Sequence, residues 1–230
     1  MLLYYVTDRK QFPGNDAEQR RQLLAKINEA AQAGLDYIQL REKDLSAREL
    51  ESLALEAVQI VRHANQLETR NSKLETRLLV NSRTDIALAC GAAGVHLTSI
   101  DIAPADARAI AIQSGRNDFL VAVSCHSAEE VRLAESHGAD FVVLAPIYGK
   151  TATRNPGIGL QPIRDLAHVS PGNRQTEAGG SRTRIPLLAL GGVTIENATT
   201  SIDAGAAGIA AIRLFQENHV EQVVKSLRAS

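Results

Sequence analysis

The chain has 230 residues, a formal net charge of −1, 44% hydrophobic and 22% charged side chains, only 3% aromatics and no tryptophan. That length suits one large domain or two small ones, and the composition is that of a soluble globular protein. A near-zero net charge gives no global field for nucleic acid or membrane, the scarcity of aromatics argues against base-stacking platforms, and no apolar stretch reaches the ~18 residues of a membrane span.

Two cysteines, Cys90 and Cys125, sit in apolar runs and read as reduced thiols of a cytoplasmic protein. The chain carries no Cys/His zinc spacing. Met1 leads directly into the apolar run 2–6, so no leader segment is expected.

Short apolar runs then alternate with amphipathic stretches. Strands are expected at residues 2–6, 36–41, 78–81, 94–97, 119–124, 140–144, 185–190 and 208–212. Helices are expected between them, from about Ala17 to Ala33 (closed by Gly34), Ser46 to Ala64, Asp85 to Cys90, Ala103 to Ser114, Ala128 to His137, Gln161 to His168, Ile195 to Ala204 and Val220 to Ala229. Ser46 with Glu49 three positions on is a capping box. Two tracts stand outside the pattern: 65–76, where Leu67-Glu68-Thr69-Arg70 recurs as Leu74-Glu75-Thr76-Arg77, and 170–184, rich in Gly, Ser, Arg and Thr. Both read as surface insertions, the first also as a helix extension.

Eight strands alternating with helices at roughly 25 residues per unit predict a single α/β domain over 1–230, a (β/α)8 TIM barrel. A doubly wound open sheet is the competing topology, but no G-x-G-x-x-G follows the first strand. In a closed barrel the active site lies where the strands end, so polar residues far apart in sequence converge there.

The densest of those ends is Asp36-Tyr37-Ile38-Gln39-Leu40-Arg41-Glu42-Lys43. Arg41, Glu42 and Lys43 cannot stay buried unpaired, so they are expected where the strand meets solvent. Gln39, Arg41 and Lys43 alternate onto one face, a compact binder for an anion such as diphosphate; a solvated strand end with local ion pairs accounts for the same residues. The other ends supply Asn81, Ser82 and Arg83, then Thr98, Ser99 and Asp101, then Ser124 and His126, then Tyr148, Lys150, Thr151, Thr153 and Arg154, and finally Gly191, Gly192 and Arg213. Cations and hydroxyls outnumber carboxylates, which suits a phosphorylated substrate. Gly191-Gly192 can expose backbone N–H groups to phosphate or simply make a tight turn. Asp101 reads as a magnesium ligand or as a cap or turn residue, His126 as a general acid–base or a helix-start histidine, and His96 as a satisfied core histidine.

In these residues the chain resembles the thiamine phosphate synthase and TenI superfamily. The resemblance is carried by Tyr5-Val6-Thr7-Asp8-Arg9, Gln39-Leu40-Arg41-Glu42-Lys43, Val80-Asn81-Ser82-Arg83-Thr84-Asp85, Gly94-Val95-His96-Leu97, Val123-Ser124-Cys125-His126-Ser127, Pro146-Ile147-Tyr148 and Ala189-Leu190-Gly191-Gly192-Val193. It spans nearly the whole chain apart from the two insertions. It implies a (β/α)8 barrel that condenses hydroxymethylpyrimidine diphosphate with thiazole phosphate, giving thiamine phosphate and diphosphate with Mg2+ present. It further implies Gln39, Arg41, Lys43 and Asn81 on the pyrimidine diphosphate, Asp101 on the metal and Ser124 beside the pyrimidine. Thr151, Thr153 and Arg154 would serve the diphosphate or thiazole side, and Gly191, Gly192 and Arg213 the thiazole phosphate. Lys43, Ser124 and His126 are the catalytic candidates. The expected partners are the two small phosphorylated molecules, with a homodimer compatible and neither nucleic acid nor membrane involved.

This sequence departs from the synthase pattern at four places. Ser82 stands where a second metal-binding Asp is usual, Thr98-Ser99 where Gly-Gln is usual, Arg154 where Lys is usual and Arg213 where a small polar residue is usual. Loss of a carboxylate weakens magnesium binding unless substrate oxygens replace it. The same departures resemble the TenI branch, whose members tautomerise a thiazole carboxylate phosphate without metal through a histidine matching His126. A relative that binds thiazole phosphate without turnover is the third reading.

Overall fold

The computed structural model describes residues 1–68, 75–149, 156–167 and 183–229. Eight parallel strands close in sequence order: β1 (Leu2–Val6), β2 (Tyr37–Leu40), β3 (Arg77–Asn81), β4 (Gly94–Leu97), β5 (Leu120–Cys125), β6 (Phe141–Leu144), β7 (Leu187–Leu190) and β8 (Gly208–Ala211), with β8 paired back onto β1. The helices are α1 (Asp16–Gln32), α2 (Ala47–Glu68), α3 (Thr84–Ala89), α4 (Pro104–Gln113), α5 (Ala128–Ser136), α6 (Gln161–Ala167), α7 (Ile195–Asp203), α8 (Arg213–Gln216) and α9 (Val220–Ala229). The expected (β/α)8 barrel forms. Two short pieces carry too little periodicity to be foreseen: a 3-10 turn at Arg9–Gln11 and the single-turn α8 directly after β8. Helix α2 continues past Ala64 to Glu68; the rest of the expected insertions, 69–74 and most of 170–184, lies outside the described residues.

Strand parity decides what each residue faces. Tyr4, Leu79, Ala122, Phe141, Val143, Leu188 and Ala210 point inward and fill the barrel axis. The alternate residues, among them Leu3, Tyr5, Ile38, Leu40, Val80, Val95 and Ile209, pack outward against the helices in the larger core. Inside, Tyr37 stacks on Phe141 with ring centroids 4.6 Å apart, and Tyr4 meets both rings edge-on. Such pairs contribute about 0.5–1.5 kcal/mol each beyond their buried area.

Local chemistry sets the element ends. Asn15 and Glu18 exchange hydrogen bonds at the start of α1, and Ser46 with Glu49 does the same for α2, as the capping-box spacing predicts. At the opposite end of the barrel, Asp36 accepts from Leu3 N at 2.8 Å and Asp140 from Val121 N at 2.6 Å, tying β1 to β2 and β5 to β6 before the ladders begin. Each of these aspartates also has an arginine partner, Arg228 and Arg108 respectively.

Gly94 opens β4 against its neighbour β5 so closely that a Cβ there would stand 2.2 Å from the Leu120 carbonyl oxygen. Gly94→Ala should therefore destabilise the fold by about 1–3 kcal/mol or more, read as a lower urea midpoint. An unchanged midpoint would contradict the close approach.

Candidate active site

The end of β2 is built around a buried carboxylate. Glu42, expected at the solvent boundary, is only 4% exposed. It can be buried because its oxygens are bonded: Thr7 Oγ1 donates to Oε1 at 2.6 Å, Arg9 N donates to Oε2 at 3.0 Å, and the Arg9 guanidinium lies 3.4 Å from Oε2. Burial still pushes the Glu42 carboxyl upward. Arg9 also clasps Asp44 through two bonds of 2.5 and 2.8 Å, which holds the Asp44 carboxyl down at about 2. Thr7 Oγ1 in turn accepts from Arg41 N at 2.9 Å. The ion pairs at this strand end thus belong to Arg9 and, at 3.5 Å from Asp44, Lys10. Among the described residues, the side chains of half-buried Arg41 and exposed Lys43 have neither a hydrogen bond nor an ion pair.

Beside them a polar chain crosses three strand ends. Buried Gln39 donates to Asn81 Oδ1 at 3.4 Å, Asn81 Nδ2 to Ser82 Oγ at 2.9 Å, and Ser82 Oγ to Asp101 Oδ2 at 2.8 Å. The same Oδ2 accepts from Thr98 N at 2.6 Å and from Thr98 Oγ1 at 2.8 Å. Asp101 is thereby a turn residue, its own N–H returning to Thr98 O, while Ala103 occupies the N-cap of α4. Ser82 has φ +60°, the one positive value at a non-glycine among the described residues; Asp tolerates that region better than most side chains.

The described residues contain no group of three or more His, Cys, Asp or Glu that could hold a metal. Asp101 keeps Oδ1 free of described donors while Oδ2 is saturated. One free carboxylate oxygen fits a magnesium ion that draws its remaining ligands from substrate phosphates and water. Ser82→Asp should place two carboxylates side by side: less stable than the parent without magnesium, and gaining more in melting temperature when magnesium is added. A magnesium response equal to the parent's would show that position 82 does not face the ion.

His96 lies deeper, 2% exposed. Its Nδ1 is 3.0 Å from the Tyr4 hydroxyl and its Nε2 is 2.7 Å from Ser124 Oγ. Burial, with the Arg41 charge second, holds its pKa down from 6.5 to about 3, so the ring is neutral at working pH. In the unfolded chain the same histidine binds a proton at higher pH. Its contribution is thus complete above about pH 6.5 and is lost as pH falls toward 3, by roughly 4–5 kcal/mol in all. His96 should add about one proton to the slope with which the unfolding free energy declines across that window, and His96→Gln should flatten the slope by that amount.

His126 is exposed and precedes α5, whose N-cap is Ser127. Its Nδ1 is 2.8 Å from the Ala145 carbonyl, which can only accept, so Nδ1 carries the hydrogen and Nε2 is left without a described partner. Across the mouth, Gly191 and Gly192 have φ +98° and +68°. A Cβ on Gly192 would meet Tyr148 Cβ at 2.8 Å, and one on Gly191 would meet Pro146 at the same distance. Tyr148 is fixed by its hydroxyl, 2.9 Å from both Asn197 O and Ser201 Oγ, and by Tyr148 N donating to Gly191 O. The Gly192 N–H has no acceptor among the described residues, and Asn197 holds this turn through Gly192 O and Thr194 N. Arg213 is exposed at the first position of α8 without a described side-chain partner. Thr151, Thr153 and Arg154 lie outside the described residues.

Sequence reading did not single out Tyr4 or the Thr7–Arg9–Glu42–Asp44 cluster. Tyr4 shares its inward parity with Leu2, and two acids flanking Lys43 two residues apart were the available signal for a buried Arg9. Both cysteines are buried thiols with raised pKa values, Cys125 at about 12, so neither is a nucleophile. A cavity of about 300 Å³ between α2 and the starts of β3 and β5 is separate from this cleft; Arg62 and Arg116 in its wall are already bonded to Gly91 O and Asp118.

Fold and cleft together define a barrel protein whose strand ends present unpaired cations and a glycine turn, a site for phosphorylated ligands. The thiamine monophosphate synthase family profile matches residues 3–215, and the chain belongs to that family. It is 35% identical over 217 residues to a putative thiamine-phosphate synthase 2 of Aquifex aeolicus, covering 94% of this chain and 97% of that protein. It is 36% identical over 203 residues to the thiamine-phosphate synthase of Methanoculleus marisnigri, covering 86% and 83%. Among solved structures, a thiamine phosphate pyrophosphorylase from Pyrococcus furiosus superposes with a TM-score of 0.74 at 27% identity, over 99% of this chain and 94% of that one.

Proposed function

We propose that this chain, as one barrel domain, is a thiamine phosphate synthase. It joins hydroxymethylpyrimidine diphosphate to thiazole phosphate, forming the methylene carbon–nitrogen bond as the carbon–oxygen bond to diphosphate breaks. The observation that carries the reading is the pair of unpartnered cations, Arg41 and Lys43, set beside Gln39, Asn81 and Asp101. Two positive charges left without a protein carboxylate are prepared for an anion, and Arg9 is what removes the competing carboxylates.

In this reading Arg41 and Lys43 hold the diphosphate and stabilise its departure, and Gln39 with Asn81 orients the pyrimidine. Ser124 touches the ring. Gly191 and Gly192, with Arg213, take the thiazole phosphate, and Thr151, Thr153 and Arg154 serve the diphosphate or thiazole side. Asp101 would hold a magnesium ion, whose positive charge would be supplied to the diphosphate oxygens. The pyrimidine itself bears the cationic charge that develops, so little acid–base assistance is required of the protein. The ligands are two small phosphorylated molecules, with no nucleic acid or membrane partner. No helix among the described residues is long and apolar enough to cross a membrane, and we read the protein as cytoplasmic and compatible with a homodimer.

One observation favours a second reading. His126 is anchored through Nδ1 with Nε2 unpartnered among the described residues, and Ser82 stands where a metal-binding carboxylate is usual, as a metal-free thiazole tautomerase would want. Purified protein given both substrates and magnesium should yield thiamine phosphate, with the rate abolished by EDTA and cut by two or more orders of magnitude in Lys43→Ala. Absence of product, with tautomerisation of the thiazole carboxylate phosphate that is lost in His126→Asn, would transfer the chain to the second reading.

A further inference from the structure

The hydrogen-bonded row Tyr4–His96–Ser124 has a direction. His96 is neutral, so one ring nitrogen donates and the other accepts. If Nδ1 carried the hydrogen, it would donate to the Tyr4 oxygen, and the Tyr4 hydroxyl hydrogen would need another acceptor. Tyr4 is fully buried among Leu79, Phe141, Val143 and Leu188 and has no second hydrogen-bond partner among the described residues. A buried hydroxyl hydrogen left unbonded is a worse state than one bonded to a neutral ring nitrogen. The Tyr4 O–H therefore donates to Nδ1, the hydrogen of the imidazole sits on Nε2, and Nε2–H donates to Ser124 Oγ across 2.7 Å. With an oxygen lone pair taken from behind, half-buried Ser124 has its own hydrogen free toward the cleft, where no described residue accepts it.

We propose that Tyr4 and His96 are positioning residues that fix Ser124 as a hydrogen-bond donor, so that the site selects a ligand presenting an acceptor atom there. Combined with the synthase reading, on which the identity of the ligand rests, that acceptor is a ring nitrogen of the aminopyrimidine; the exocyclic amino group, a donor, is turned away from Ser124. The selection operates over the whole working pH range, because the row contains no group that titrates within it.

The direction can be read on ligand-free protein by nitrogen NMR of ring-labelled histidine, with the His96 signals identified by their failure to titrate between about pH 5 and 9 and by their displacement in Tyr4→Phe. A hydrogen on Nε2 with bare Nδ1 upholds the proposal, and a hydrogen on Nδ1 overturns it. The consequence can be read in kinetics. Replacing the contacted ring nitrogen of the pyrimidine diphosphate by C–H should raise KM about tenfold in the parent, with kcat changed less. Ser124→Ala should accept the two ligands almost equally, and Tyr4→Phe should show an intermediate preference. Equal discrimination by the parent and Ser124→Ala would overturn the selection. If the protein turned over neither ligand, the synthase reading would fail, while the NMR result would still decide the direction of the row.

Discussion

A closed barrel of eight parallel strands has room along its axis for side chains and nothing else, so every inward residue must either be apolar or find a hydrogen-bond partner inside. This chain meets the constraint in layers. Tyr4, Phe141, Leu79, Val143 and Leu188 fill the axis. Above them the inward positions become polar one strand at a time: Gln39, Asn81, His96 and Ser124. The first two bond to each other, and the last two are linked through His96 to the Tyr4 hydroxyl below. The floor of the cleft is consequently rigid because its polar atoms could not be buried otherwise.

The second constraint concerns charge. Cations intended for a ligand must not be neutralised by the protein, yet their strand end needs anchoring. Here the two tasks fall to different residues. Arg9, from the turn after β1, satisfies Glu42 and Asp44, and Thr7 bridges Glu42 to the Arg41 backbone. The loop after β2 is therefore fastened through its acids and its main chain, and its cationic side chains remain available. A surface pair made by Lys43 itself would have fastened the loop at the expense of binding.

Much of this was legible in the sequence. The alternation of apolar runs and amphipathic stretches gave the barrel and its strand ends, because parity and period are local properties of the chain. The alternation of Gln39, Arg41 and Lys43 onto one face was equally local. What was not legible depends on contacts between distant segments. Glu42 reads as a solvated acid until Arg9 is brought to it, and Tyr4 reads as one apolar residue among several until His96 is placed 92 positions away beside its hydroxyl. Asp101 reads as a metal ligand or as a cap or turn residue, with no way to choose between its oxygens. It closes a turn through one oxygen and leaves the other open, an arrangement set by Thr98 and Ser82 together.

The clasp at the far side of the mouth carries a consequence for how this sequence can change. Tyr148 occupies the space a side chain at position 192 would need, Pro146 does the same at 191, and the Tyr148 hydroxyl is held by Asn197 and Ser201 from α7. Truncating the neighbour would not make room for either, because the opposing atoms are Pro146 Cα and Cβ at 191 and Tyr148 Cβ with main-chain oxygens at 192, and both glycines hold positive φ. The main chain of the loop after β6 therefore holds the turn after β7 to glycine, and drift at this rim is slowed by close approach and backbone conformation together, before any ligand is considered.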